Sequence, residues 1–95
     1  MARPKTKKFD AAEYLDSPET VAEFLAACLE DPDPEVFVAA LGTVARARGM
    51  AAVARKAGLG RESLYKALEA GARPRHDTVR RVVEALGLKL TLEPA

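Results

Sequence analysis

The fold of this chain is decided by residues 50–71, which read MAAVARKAGLGRESLYKALEAG. Apolar residues recur at helical spacing on both sides of Gly58, which predicts two short helices, over residues 50–57 and 61–70. Ala54 is small enough for the closest approach of two steeply crossing helices, and a glycine turns the chain through a left-handed conformation at little cost. This pattern is typical of a helix-turn-helix, in which the second helix enters the major groove of DNA.

Polar side chains remain outside the apolar stripe of the second helix. Arg61 leads this helix, where an arginine can bond two acceptors of a guanine, so we expect it to read a base. Glu62 accepts from a cytosine or buttresses Arg61, and the basic groups that follow the helix suit phosphates. The predicted DNA-binding residues are Arg61, Glu62, Ser63, Tyr65, Lys66, Arg73, Arg75 and His76. The alternative is that each is an ordinary exposed polar residue.

Three further helices are predicted around this motif. Ser17-Pro18 and Asp33-Pro34 each combine a capping side chain with a proline at the first helical position, which predicts helices over about residues 18–30 and from residue 34 to Gly49. A fifth helix is predicted between Asp77, as its cap, and Gly87. The predicted core stripes are Val21, Phe24, Leu25, Cys28 and Leu29, then Phe37, Ala40, Leu41, Val44 and Ala45, then Val53, Leu64 and Leu68, and finally Val79, Val82, Val83 and Leu86.

The two ends of the chain depart from the helical pattern. Leucines alternate with polar residues over residues 88–93, which predicts a short C-terminal β-strand paired with its twin in a homodimer, or else a flexible tail. Residues 1–16 have no sustained period and are predicted to be an N-terminal arm or a short ordered lead-in. The expected fold is therefore a single all-α domain over residues 17–95, with five helices and this strand.

Composition excludes several classes of function. The chain has 95 residues, 48% apolar and 31% charged, which suits one domain with a packed core. No apolar run reaches the length of about 18 residues that a membrane span needs, and no secretory stretch follows the basic start, so we expect a cytoplasmic protein with no membrane contact. One cysteine and one histidine cannot build a disulfide or a Cys/His metal cluster, and no nucleophile stands beside a base, so neither a cofactor nor enzymatic activity is expected.

The net charge of +1 hides an uneven distribution. Residues 1–8 carry four positive charges, and residues 9–35 carry nine negative charges and no positive one. Residues 50–76 carry six positive charges against two negative ones. Such a chain can offer one surface to a polyanion and another to a cationic partner, although solvated helix faces would give the same pattern.

Three stretches are distinctive, namely RARGM at residues 46–50, GLGRESLYKAL at residues 58–68 and ALGLKL at residues 85–90. Through them, residues 40–90 resemble the probable addiction-module antidote proteins, which are antitoxins of bacterial toxin-antitoxin pairs, and residues 9–41 resemble the N-terminal part of that family. The resemblance implies a lambda-repressor-like helix-turn-helix fold that binds, as a dimer, the double-stranded DNA operator of its own operon. It also implies neutralisation of a small basic toxin similar to the RelE/ParE group.

The same resemblance places Arg61 and Glu62 at base-reading positions of lambda-repressor-like proteins. Met50 stands where lambda-repressor-like proteins often have a supporting glutamine. The chain departs from the family at Gly60, where serine is frequent. Residues 71–74 read Gly-Ala-Arg-Pro in place of the expected Asn-Gly-Asn-Pro.

The acidic residues between Asp10 and Glu35 are expected to meet the cationic toxin. The predicted toxin-binding residues are Phe9, Tyr14, Leu15, Glu19 and Glu23; the alternative is that the aromatic ones only complete the core. Two other functions stay open, an interaction module with little or no DNA binding, which Met50 and the altered loop favour, and a stand-alone transcriptional repressor.

Overall fold

A computed structural model of the protein describes residues 17–95, in which five α-helices follow one another along the chain. They are α1 (Pro18–Leu29), α2 (Pro34–Arg48), α3 (Met50–Ala57), α4 (Arg61–Leu68) and α5 (His76–Ala85). The all-α class and the five predicted helices are confirmed. The predicted N-terminal arm lies outside the described residues.

Side chains close the first turns of α1 and α2, as the sequence predicts. The Ser17 hydroxyl accepts a hydrogen bond from the backbone N–H of Thr20 at 3.1 Å. The Asp33 carboxylate accepts from the N–H of Glu35 at 3.0 Å. Each cap satisfies an amide that has no partner within its own helix, and a proline follows it at the first helical position.

The core forms around α2 and α3. α1, α3 and α4 each pack against α2, and α5 packs against α3. All five residues of the stripe predicted for α2 are buried. Val21, Leu41, Val44, Leu64 and Val82 are the largest side chains that are fully buried, so α1, α2, α4 and α5 all contribute to one core.

One residue predicted for the core is exposed. Leu29 keeps 55% of its surface exposed, whereas Val21 and Leu25 of the same stripe are buried. Leu29 follows Val21 by eight residues, which is two full helical turns plus about 80°. Its side chain therefore points away from the line on which Val21 lies. The spacing rule therefore fails at the last turn of α1.

A single residue, Gly49, separates α2 from α3. Its φ of 99° is a conformation that residues with a side chain rarely adopt, and the two helices are bent by 109° across it. No single helix in residues 17–95 is long and apolar enough to span a membrane; α2 and α3 meet those criteria only as a pair, across this bend.

Residues 88–95, where a strand paired with a second copy is predicted, have no regular secondary structure in the single chain. A strand needs a neighbour for its hydrogen-bond ladder, and residues 17–95 of one chain provide none, so strand pairing in a homodimer stays a prediction. Helix α4 ends at Leu68 rather than at residue 70, since Glu69 is extended with ψ of 162°. Asp77 does not cap α5: Arg75 is the N-cap residue, and the Asp77 carboxylate lies in the first turn, 3.5 Å from Nε of Arg81.

Candidate nucleic-acid interface

The turn between α3 and α4 is built by backbone geometry. Gly58 is left-handed, with φ of 72° and ψ of 31°, as predicted. The N–H of Leu59 then donates to the carbonyl of Ala54 at 2.9 Å, a bond that ends α3 and directs the chain away from its axis. Ala54 is 3% exposed, which agrees with its predicted place between the helices, and Leu59 packs against the core.

Helix α4 has one buried and one exposed face. Leu64 is completely buried and Leu68 is 4% exposed, so both anchor the helix in the core. The predicted DNA-contacting residues of this helix are all exposed, namely Arg61, Glu62, Ser63, Tyr65 and Lys66. Their outward placement is confirmed, while their contact with DNA stays a prediction.

Two of these residues contact each other in a way that the sequence analysis missed. The guanidinium carbon of Arg61 lies 5.8 Å from the centre of the Tyr65 ring, a cation–π distance. The i, i+4 spacing on one helix is the signal that could have found this pair. Because the ring restrains the guanidinium, Tyr65 is placed to orient Arg61.

Three helices begin without a capping side chain, unlike α1 and α2. The N-cap residues of α3, α4 and α5 are Gly49, Gly60 and Arg75, and none of them accepts a hydrogen bond through its side chain. The first amides of these helices therefore lack such a partner within the described part of the chain. Amides at a helix start carry partial positive charge and suit a phosphate oxygen.

The predicted phosphate-contacting residues follow α4. Arg73 and Arg75 are exposed, and the chain reaches them after Gly71, which has a φ of 80°. His76 is also exposed, but it is the first residue of α5 and not part of the loop. Arg75 and His76 therefore lie directly beside the uncapped amides of α5.

A further basic residue lies near this loop and was not predicted. A side chain at Gly42 of α2 would come within 3.4 Å of the carbonyl oxygen of Leu68 and 3.3 Å of Nη1 of Arg46. The absence of a side chain at Gly42 thus allows the end of α4 to approach α2, and Arg46 lies beside that end. Arg46 and residues 69–72 line the same surface cleft. Only the tertiary contact of α2 with α4 brings them together, so local spacing could not show it.

The predicted toxin-binding residues are only partly within the described chain. Phe9, Tyr14 and Leu15 lie outside it. Glu19 and Glu23 are exposed on α1. Residues 17–35 carry six acidic side chains and no basic one, and all six are exposed. The described structure therefore has a strongly acidic surface at α1 in addition to the exposed polar face of α4.

Comparisons with known proteins agree with the resemblance seen in the sequence. Residues 5–94 match the family described as probable addiction module antidote protein. A Haemophilus influenzae protein, named only as an uncharacterized protein, is 42% identical over 87 residues, which cover 92% of this chain and 90% of that protein. No solved structure matches the chain. The chain therefore belongs to the family of probable addiction module antidote proteins, which are antitoxins and not enzymes and whose role implies a cognate toxin as partner.

Proposed function

We propose that this antidote binds the double-stranded DNA operator of its own operon through α4, and so represses the operon. The observation that carries the proposal is the exposed row from Arg61 to Lys66 on a helix of eight residues, anchored by Leu64 and preceded by a left-handed turn. A helix that is presented in this way fits the major groove, where base edges can be distinguished.

Each exposed group then has a role. Arg61 reads a guanine while the Tyr65 ring holds its guanidinium in place. The uncapped starts of α3, α4 and α5 and the side chains of Arg73, Arg75 and His76 contact phosphates, which fix the position of the protein on the duplex. Glu62, Ser63 and Lys66 complete the contacts of α4.

The proposal includes a homodimer. A helix of eight residues reaches few base pairs, and proteins of this kind gain affinity by placing two such helices in half-sites about 34 Å apart on the duplex. We therefore expect a two-fold symmetric operator. Light scattering of the protein with and without operator DNA would measure two chains per duplex.

The toxin of the pair is proposed to be small, basic and similar to the RelE/ParE group. The six exposed acids of residues 17–35 favour a cationic partner, because opposite charges accelerate association and suppress wrong partners. DNA would be repelled by the same surface, so the two partners would occupy different parts of the protein.

A titration tests the DNA-binding proposal. Labelled duplex from upstream of the operon is titrated with protein at several salt concentrations, and the binding constant should fall steeply as salt rises, because phosphate contacts release counterions. Arg61→Ala should abolish the preference for the operator over unrelated DNA. Glu23→Gln is the matched control, and it should leave DNA binding unchanged. Equal affinity for every duplex in wild-type protein would contradict operator recognition.

A second candidate is an antidote that captures the toxin and does not bind DNA. Met50, the first residue of α3, favours it, since this residue is 6% exposed and offers no polar group where the related fold often has a glutamine. Tight toxin capture by a protein that leaves the upstream duplex free at low salt would select this alternative.

A further inference from the structure

An apolar groove runs between α1 and the C-terminal segment. It has a volume of about 740 Å³. Ala22, Ala26 and Leu29 of α1 line one side, and Leu88 and Leu90 line the other. This groove lies on a different helix from the residues proposed to bind DNA.

Leucines at this groove are unusually exposed. Leu29 is 55% exposed and Leu90 is 37% exposed, and Leu92, two residues further on, is fully exposed at 101%. Single exposed leucines are ordinary, but apolar side chains gathered around one concave surface are typical of an interaction site. The failed core prediction at Leu29 and the absence of regular structure at residues 88–93 thus concern the same place.

An acidic stripe borders the apolar row of α1. Glu19, Glu23 and Glu30 are separated by four and seven residues, which places them along one line of the helix and its C-cap. The row of Ala22, Ala26 and Leu29 runs beside that line. The like charges of Glu19 and Glu23, four residues apart, repel each other by a few tenths of a kcal/mol.

No basic residue forms an ion pair with this stripe within residues 17–95. The ion pairs of that range join Arg80 to Glu84 and Arg81 to Asp77, all of them on α5. The groove lining itself contains Glu30 and Glu93 against one base, Lys89. A cationic partner would remove the repulsion while it covers the leucines.

We propose that this groove binds the toxin, and that it takes an amphipathic helix with an apolar row flanked by lysines or arginines. An amphipathic helix bound in an apolar groove is a recurrent mode of recognition. The acidic stripe beside the groove favours a partner helix whose flanking residues are positively charged. The inference rests on the proposed assignment of the acidic surface to the toxin, and it is independent of DNA binding.

A second copy of the chain fits this groove less well. In a two-fold symmetric contact, the same patch faces itself, so the two acidic stripes would border one interface. Like charges placed face to face across an interface are costly. The charge pattern therefore favours a partner of opposite sign over self-association.

Two variants of the full chain test the site. The binding of each variant to the toxin encoded in the same operon is measured after the two proteins are co-expressed. Leu29→Ala and Glu23→Lys should each weaken toxin binding about tenfold. The first variant removes a leucine that the bound toxin would bury, and the second places a positive charge against the cationic toxin. Both residues are exposed in the free protein, so circular dichroism and the melting temperature should match the wild type. Glu69→Lys is the matched control, because Glu69 is an exposed acid outside the groove, and it should bind toxin normally.

A defined peptide tests the groove without the toxin. An amphipathic Leu/Lys helix should bind, displace the toxin and shift the amide NMR signals of Ala22, Leu29 and Leu90, while a Leu/Glu peptide of equal length should not bind. Wild-type affinity for toxin in both variants, or concentration-dependent self-association that protects the groove from the peptide, would overturn the inference. Failure of the wild type to bind toxin would instead refute the proposed function, and the peptide would still test the groove.

Discussion

Helices α1 and α4 lie in one small structure and expose surfaces of opposite character. α1 begins with a side-chain cap at Ser17, and the exposed charges of residues 17–35 are all acidic. α4 follows the N-cap residue Gly60, which offers no capping side chain, and exposes Arg61 at its start and Lys66 in its last turn. The first surface suits a cationic protein and the second suits a polyanion, so substitutions should separate the two partners.

The largest expected effect is a loss of folding stability, which would disrupt the exposed surfaces of α1 and α4 together. Leu64 is fully buried in the core that α1, α2 and α4 share, so Leu64→Ala should lower the free energy of unfolding by about 2–5 kcal/mol. Urea denaturation followed by circular dichroism measures this loss. Lys66→Ala, on the exposed face of the same helix, is the control and should change stability by less than about 0.5 kcal/mol. Equal stability of the two variants would show that α4 is not anchored as described.

A smaller effect should be confined to α4. Arg61→Ala should cost about 1–3 kcal/mol of discrimination between the operator and a duplex with its guanines replaced. Toxin affinity should be unchanged, because Arg61 is on a different helix from the acidic stripe. Fluorescence anisotropy with the two duplexes measures the discrimination. Retention of full operator preference would remove Arg61 from base reading.

Two glycines on either side of Leu59 should respond in opposite directions. Gly58→Ala should destabilise the protein by about 1–2 kcal/mol, because φ of 72° is left-handed. Gly60 has φ of −67°, and Gly60→Ser adds a capping hydroxyl, so it should stabilise by a few tenths of a kcal/mol. Thermal unfolding monitored by circular dichroism compares them. Equal changes in both variants would contradict the turn geometry.

The smallest expected effect is on salt dependence. Arg73→Ala and Arg75→Ala should each reduce the slope of the logarithm of DNA affinity against the logarithm of salt concentration by about 1, because each removes one phosphate contact. Sequence preference should not change. A titration series in increasing salt measures the slope, and an unaltered slope in both variants would exclude these side chains from the phosphate contacts.

The sequence predicted those features that are local. Proline after a capping residue located the starts of α1 and α2, and helical spacing identified every buried residue of α2 except Gly42. It failed where tertiary surroundings decide the outcome. The leucines of residues 88–93 alternate as in a strand but have no regular structure in the single chain, and Leu29 follows the core spacing yet is exposed, because the side chain has rotated by about 80° from the line of Val21.

The same limit applies to the candidate site. The outward face of α4 could be predicted because the spacing of Leu64 and Leu68 leaves the other positions exposed. The approach of Arg46 to the end of α4 could not be predicted from the sequence, since it depends on how α2 and α4 pack at Gly42. The start of α5 was misplaced because Asp77 resembles a cap, whereas its carboxylate faces Arg81 one turn later.

Amide NMR mapping of the isotopically labelled protein with operator duplex tests the central claim most directly. The account predicts that DNA shifts the amide signals of residues 61–66 and of Arg73, Arg75 and His76, and leaves those of α1 unchanged. Shifts concentrated in α1, with residues 61–66 unaffected, would contradict it.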